Sequence, residues 1–128
     1  MSARILLIDD NQQNRYLVRF LLEHRGHEVI SAERGEEGVA LALKRLPQLI
    51  LLDIQLPGMD GYAVARQLRS YDAVREVPIV AVTSCAMVGD REAVFAAGCA
   101  GYIEKPIEPE TFAETIEAFL PPRARPAP

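Results

Sequence analysis

Five polar residues in this sequence have side chains that together could carry out chemistry on a phosphate group. They are Asp9, Asp10, Asp53, Thr83 and Lys105. Carboxylates that lie close together repel one another and need a compensating cation, and burial alone would raise their pKa values. Mg²⁺ suits such a group, because it takes oxygen ligands and binds through one or two carboxylates together with phosphate oxygens and water. An aspartate beside the metal could attack phosphorus and form an aspartyl phosphate, while the lysine and the threonine stabilise the transferred oxygens.

Short apolar runs alternate along the chain with stretches of helical spacing, which predicts strands alternating with helices. The predicted strands are Ile5–Ile8, Val29–Ala32, Leu49–Leu52, Ile79–Val82 and Tyr102–Ile103. The predicted helices are Asn11–Arg25, Gly35–Leu46, Gly61–Ser70, Gly89–Ala97 and Pro109–Leu120. In the first helix, Leu17, Phe20 and Leu21 are expected on one apolar side, and in the second Val39, Leu43 and Leu46.

Five strand–helix units predict an α/β three-layer sandwich. Near-continuous apolar runs in three of the strands indicate that both of their faces are covered, as in a parallel sheet. Right-handed crossovers then place helices on both sides of that sheet. Five such units favour the flavodoxin-like strand order 2-1-3-4-5, in which strands 1 and 3 are neighbours and ligands bind beyond the carboxyl ends of the strands.

The five polar residues all follow predicted strands, so the fold would collect them at one edge of the sheet. Asp9 and Asp10 follow strand 1, Asp53 follows strand 3, Thr83 follows strand 4, and Lys105 lies just past strand 5. Taken singly, Asp10 and Thr83 could be helix caps and Lys105 a surface charge. A shared site explains why all five lie at the edge where ligands bind.

Composition limits the classes of function. The net charge of −4 argues against a nucleic-acid-binding surface, and no apolar run is long enough to predict a membrane span. A cytoplasmic location is expected, because the start of the chain does not resemble a signal peptide. Two cysteines, Cys85 and Cys99, do not make a disulfide framework, and Cys99 is expected in or near the core. One domain is predicted over residues 1–120, followed by a disordered Pro/Ala/Arg tail over residues 121–128.

Four segments resemble the signature blocks of response-regulator receiver domains, the CheY-like family. These segments are Ile5–Asn11, Leu49–Tyr62, Ile79–Ser84 and Gly101–Ile107. The resemblance extends from about residue 4 to residue 120, and as an ordered set the blocks are highly specific. It implies a phosphoacceptor domain of a two-component phosphorelay, which is a signalling protein with intrinsic autophosphorylation and autodephosphorylation rather than an enzyme.

The resemblance also assigns roles at the metal site. Asp53 would be the phosphoacceptor. Asp10 would bind Mg²⁺ directly and Asp9 through water, and the backbone carbonyl of Gln55 would be a further metal ligand.

On the other side of the site, Lys105 would pair with the phosphoryl group, and a cis peptide is expected between Lys105 and Pro106. Thr83 and Tyr102 would form the switch pair. Phosphorylation would draw the Thr83 hydroxyl toward the phosphoryl group and let Tyr102 turn inward, which changes the face made by helix 4, strand 5 and helix 5. The alternative for Tyr102 is an ordinary half-buried edge aromatic.

In the stretches Asp9–Gly26 and Ala86–Asp90, this sequence looks most like two subgroups of the receiver family. These are the single-domain regulators of the DivK type and the receivers of hybrid histidine kinases. The implied partners are a histidine kinase or histidine phosphotransferase and a downstream protein docking on the helix 4–strand 5–helix 5 face. His24 and His27 are expected to be solvated surface residues. Whether the tail ends a free-standing regulator or begins a linker stays open.

Two other functions remain to be weighed. A phosphatase of the haloacid-dehalogenase type uses a similar Asp nucleophile, but it needs a second aspartate two residues later, where this chain has Gln55. A phosphorylation-independent interaction module would not require the complete set of polar residues.

Overall fold

The structure, a computed structural model, describes residues 3–56, 60–84 and 88–120, with the backbone only for residues 88–90. The strands are β1 Arg4–Ile8, β2 Glu28–Ala32, β3 Leu49–Asp53, β4 Ile79–Thr83 and β5 Gly101–Glu104. The α-helices are α1 Gln12–His24, α2 Gly35–Arg45, α3 Gly61–Arg69, α4 Val88–Ala96 and α5 Phe112–Glu117, with a 3₁₀ turn at Asp72–Val74. The predictions for Cys85 and for the tail at 121–128 fall outside the described residues.

All neighbouring strands in the described sheet run parallel, in the order β2-β1-β3-β4-β5. This confirms the predicted α/β sandwich and the pairing of β1 with β3. Every residue of β3 and β4 is buried, as their continuous apolar sequences indicated. Alternate residues of β3 face opposite sides of the sheet, so Leu49 and Leu51 belong to one buried cluster and Ile50 and Leu52 to the other.

The expected apolar side of α1 was wrong in one position. Val18 and Leu22 are the fully buried residues of this helix, with Leu17 and Leu21 partly buried beside them. Phe20 is 57% exposed. The reason is the 3.6-residue period: Val18 and Leu22 are one turn apart and define the inward direction, and Phe20 lies on the far side of the helix.

Two helix ends also differ from the predicted ones, because residues that were expected to be helical lie in a turn or adopt a left-handed conformation. The α5 helix begins at Phe112 rather than Pro109, because residues 109–111 form a turn in which the Thr111 N–H donates to the carbonyl of Glu108. Leu46, expected on the apolar side of α2, is instead the residue after that helix, with a left-handed φ of 49° and 55% exposure. None of the helices that the structure describes is long and apolar enough to span a bilayer.

His27 is buried, so the prediction that it is a solvated surface residue was wrong. Its Nδ1 accepts the Ala3 N–H at 3.1 Å, which leaves Nε2 to donate to Glu117 at 2.8 Å. Glu117 also pairs with Arg25, whose Nε lies 3.0 Å from the carboxylate. His24, in contrast, is exposed and stacks on Phe20. The contacts of His27 with Ala3 and Glu117 join residues 24 and 90 positions apart in the chain, and local sequence pattern carries no sign of them.

Candidate functional site

Three carboxylates converge at the carboxyl edge of the sheet. Asp9, Asp10 and Asp53 each offer an oxygen, and these oxygens lie within 4.8 Å of one another. The convergence follows from the register, because β1 and β3 pair in parallel with Ile8 opposite Leu52, so the residues that follow Ile8 and Leu52 meet. Asp9 and Asp53 are buried, whereas Asp10 is exposed.

The carboxylate of Asp9 already has several donors. One oxygen accepts the Asn11 N–H at 2.9 Å. The other accepts the side-chain amide of Asn14 and lies 3.5 Å from the ammonium of Lys105. Asn11 in turn caps α1, because its side chain accepts the Asn14 N–H at 2.8 Å. The start of α1 is thereby fixed to the acidic site.

Asp53 sits between a donor and a cation. Its Oδ1 accepts the Gln55 N–H at 2.9 Å, and its Oδ2 lies 3.3 Å from the Lys105 ammonium. Burial raises the pKa of Asp53 above its ordinary value, and the Gln55 hydrogen bond and the Lys105 charge offset only part of that rise, while the Asp9 charge adds to it. The ionised form of Asp53 would therefore gain from further positive charge at this position.

Lys105 reaches the site from just past β5, and Thr83 is the last residue of β4. The Lys105 N–H donates to the Thr83 carbonyl at 2.8 Å, which continues the ladder between the two strands. The peptide between Lys105 and Pro106 is cis, as expected from the resemblance. Thr83 is buried. Gln55 is exposed, and its side chain accepts the hydroxyl of Ser84 at 2.7 Å.

Tyr102 is half-buried on β5, opposite Ala81 of β4. Side chains two residues apart on a strand share a face, so Thr83 and Tyr102 lie on the same face of the sheet. The Tyr102 hydroxyl accepts from the guanidinium of Arg91, at 2.9 Å from Nη2 and 3.2 Å from Nε.

The contacts of Asn14 and Arg91 were not singled out by the sequence. Asn14 lies in the first turn of a helix that begins at the ligand-binding edge, and that position is the one signal that could have pointed to it. Arg91 gives no such signal, because its contact with Tyr102 depends on how α4 packs over β5.

Known proteins of one signalling family are similar to this chain over most of its length. A model of the response regulator receiver domain matches residues 5–117. The polar-differentiation response regulator DivK of Brucella anthropi is 42% identical over 120 residues, which cover 94% of this chain and 98% of that protein.

Solved structures show the same fold. The chemotaxis response regulator CheY4 of Vibrio cholerae superposes with a TM-score of 0.89 at 29% identity, covering 94% of this chain and 100% of the other. The receiver domain of a sensor histidine kinase from Pseudomonas aeruginosa gives 0.85 at 32% identity, covering 93% and 98%, and has a magnesium ion coordinated in its active-site cleft. A CheY-like sheet, an acidic cluster at its carboxyl edge and a family match over most of the sequence lead to one assignment: the chain belongs to the response regulator receiver domains of two-component systems, and it is of the DivK type.

Proposed function

We propose that Asp53 accepts a phosphoryl group from a phosphohistidine on a histidine kinase or histidine phosphotransferase, in a Mg²⁺-dependent reaction. The observation that carries this proposal is the buried Asp53 carboxylate, which lies 3.3 Å from the Lys105 ammonium and clusters with the carboxylates of Asp9 and Asp10. The donor and a downstream protein would meet this domain in the cytoplasm.

The donor set fits Mg²⁺, which takes hard oxygen ligands. Asp10 is exposed, and no described residue donates a hydrogen bond to its carboxylate, so its oxygens are available to a cation. Asp9 already accepts from Asn11 and Asn14, which favours an interaction with the metal through water. Asp10, Asp53 and the backbone carbonyl of Gln55 would then hold the ion directly. When bound, Mg²⁺ would neutralise the carboxylates and the charge of the transferred group.

The transfer itself is an exchange of one bond for another. A carboxylate oxygen of Asp53 forms the new bond to phosphorus as the bond between phosphorus and the donor imidazole nitrogen breaks. Charge spreads over the three equatorial oxygens, so catalysis consists of positioning and electrostatic stabilisation. Lys105 would pair with one of these oxygens, and the Thr83 hydroxyl would donate to another. In autophosphorylation, a small phosphodonor would take the place of the histidine partner. In autodephosphorylation, water would cleave the aspartyl phosphate.

Phosphorylation would shift the domain toward a second conformer. If the phosphoryl group binds better to the conformer in which Thr83 has moved toward it and Tyr102 has turned inward, the population shifts to that conformer. The face made by α4, β5 and α5 changes as a result, and a downstream protein would dock there.

Exposure to phosphoramidate with Mg²⁺, followed by intact-mass measurement, tests the phosphoacceptor. The wild type should gain one phosphoryl group, and the gain should disappear when Mg²⁺ is chelated. The Asp53→Asn variant, which keeps the size of the side chain, should gain none. No gain in the wild type would leave an interaction module as the better interpretation, and repeated turnover of a phosphate ester would indicate a phosphatase.

A further inference from the structure

Arg91 makes a contact that the proposed transfer chemistry does not use. Two nitrogens of its guanidinium, Nη2 and Nε, donate to the Tyr102 hydroxyl at 2.9 Å and 3.2 Å, and the guanidinium carbon lies 5.0 Å from the centre of the Tyr102 ring. Among the side chains that the structure describes, no carboxylate lies within ion-pair distance of Arg91. Its described interactions are therefore all with Tyr102.

The contact fixes an exposed residue of α4 to the edge strand of the sheet. Arg91 is exposed, and Tyr102 packs against the buried cluster that includes Ala81 and Val94 while its hydroxyl points to Arg91. Tyr102 also shares its sheet face with Thr83, which follows from the pairing of Ala81 with Tyr102. Tyr102 is thus in contact with the α4 surface and on the same sheet face as Thr83.

We propose that Arg91 is a positioning residue, which stabilises the conformer in which the Tyr102 hydroxyl faces α4. It thereby sets how much of the binding free energy of a phosphoryl group is needed to turn Tyr102 inward. This inference rests on the proposed function of Asp53, Thr83 and Tyr102. A contact that exists in one of two conformers favours that conformer, and its removal shifts the population to the other. An inward Tyr102 loses both the two hydrogen bonds and the cation–π contact.

The affinity for beryllofluoride, a tetrahedral phosphoryl mimic, measures that shift without turnover. In the presence of Mg²⁺, Arg91→Ala should bind beryllofluoride about fourfold more tightly than the wild type, as expected for loss of an exposed cation–π and hydrogen-bonding contact. Arg66→Ala is the matched control, because Arg66 is also an exposed helical arginine and has no described contact with Tyr102. It should bind as the wild type does.

A double-mutant cycle separates positioning from a general effect of charge. Tyr102→Phe removes the hydroxyl that Arg91 contacts, so in that background Arg91→Ala should give a clearly smaller gain. In carbon-13-labelled protein, the ring signals of Tyr102 in free Arg91→Ala should move toward their position in the beryllofluoride-saturated wild type. A merely structural role for Arg91 would not produce that displacement.

The outcomes distinguish this inference from the function on which it rests. If the wild type fails to bind beryllofluoride with Mg²⁺, the phosphoacceptor proposal itself fails. If the wild type binds and Arg91→Ala binds equally, or if its gain is as large in the Tyr102→Phe background, the positioning role of Arg91 is overturned.

Discussion

The Lys105 ammonium lies 3.3 Å from Asp53 and 3.5 Å from Asp9, so removing it changes the charge of the site more than its shape. Lys105→Ala is expected to keep Mg²⁺ binding, because a cation that competes for the same carboxylates has been removed. It should lose most of the conformational change linked to phosphorylation, since the proposed partner of Lys105 in that state is the phosphoryl group. Titration of Mg²⁺ and of beryllofluoride into the same sample, followed by NMR, checks both statements.

Lys44→Ala is a suitable control for Lys105→Ala, because Lys44 is an exposed lysine of α2, away from the acidic cluster. A normal response to beryllofluoride in Lys105→Ala would remove this lysine from the mechanism.

The buried Glu117 provides a prediction on pH. Burial raises the pKa of its carboxyl, but the hydrogen bonds from Arg25 and His27 lower it by more, so the folded value lies below the unfolded value of about 4.3. A carboxylate of this kind stabilises the fold above the unfolded pKa, and the contribution is lost as pH falls through the folded pKa. Glu117→Gln should therefore lower the free energy of unfolding by about 1–2 kcal/mol at pH 7, and by progressively less below about pH 4.3.

Urea unfolding across this pH range measures the difference for Glu117→Gln, with Glu110→Gln, an exposed glutamate, as the comparison. A difference that stays constant down to acid pH would show that the Glu117 charge is not the stabilising factor.

Among individual residues, the sequence predicted those whose residue type and position after a strand both indicate a role in phosphoryl chemistry. Asp53 and Lys105 could be found in that way. The surroundings of His27 could not, because burial there depends on Glu117 from the other end of the chain. Arg91 was missed for a similar reason: its partner is set by packing between a helix and a strand, not by local pattern.

Among the elements, the close approach of α3 to the end of β3 depends on Gly61. A Cβ at this position would lie 2.5 Å from the Ile54 Cα and 2.9 Å from the Asp53 carbonyl oxygen, both of which are backbone atoms that cannot move aside cheaply. Gly61→Ala should therefore lower the free energy of unfolding by about 2–3 kcal/mol, and it should also weaken Mg²⁺ binding because it displaces the backbone that carries Asp53.

Gly38→Ala is the matched control for Gly61→Ala. A Cβ there would meet the Cδ1 and Cγ1 atoms of the Ile8 side chain, the latter at 2.6 Å, whereas the Cβ at position 61 would meet backbone. Because Ile8 is fully buried, Gly38→Ala should also lower stability, but it does not press on the backbone that carries Asp53. Thermal unfolding and Mg²⁺ titration of both variants make the comparison, and an unchanged Mg²⁺ affinity in Gly61→Ala would contradict the prediction.

Strands were predicted to within a few residues because buried parallel strands have continuous apolar runs that begin and end abruptly. Helix faces and ends were predicted less well. The position of Phe20 illustrates the difficulty, since a large apolar residue can remain on the exposed side of a helix whose inward side is already filled by Val18 and Leu22. Proline at 109 is compatible with both a turn and the first turn of a helix, and in this chain it lies in the turn.

For the molecule as a whole, the repulsion among three clustered carboxylates predicts that the folded state is stabilised by Mg²⁺. Because Mg²⁺ is expected to bind only the folded chain, it should raise the free energy of unfolding by about 2.7 kcal/mol at a hundredfold excess over the dissociation constant. The unfolding midpoint should rise with the Mg²⁺ concentration accordingly. Asp10→Asn should reduce the response, because Asp10 is the exposed carboxylate of the cluster. An unchanged response in thermal melts of this variant would show that Asp10 is not a ligand. Glu36→Gln, at an exposed acid of α2, controls for loss of charge.

The complete topology followed from the alternation of strands and helices, because crossover handedness leaves few arrangements open to five such units. The meeting of Asp9 with Asp53 followed from that topology. The proposed balance between two conformers of Tyr102 would not follow from topology, since it would depend on single contacts such as the one between Arg91 and Tyr102.

The position of β3 and β5 within the sheet has a consequence for how the domain transmits a signal. Asp53 ends β3, which is the middle strand and is buried along its whole length, whereas Tyr102 is on β5, a marginal strand with partly exposed residues. The proposed phosphoryl transfer would thus take place on the most buried strand, whereas the proposed change at Tyr102 would take place on an edge strand, which can rearrange without disturbing the interior. Amide hydrogen exchange should accordingly be slow in β3 whatever the state of Asp53, and state-dependent in β5.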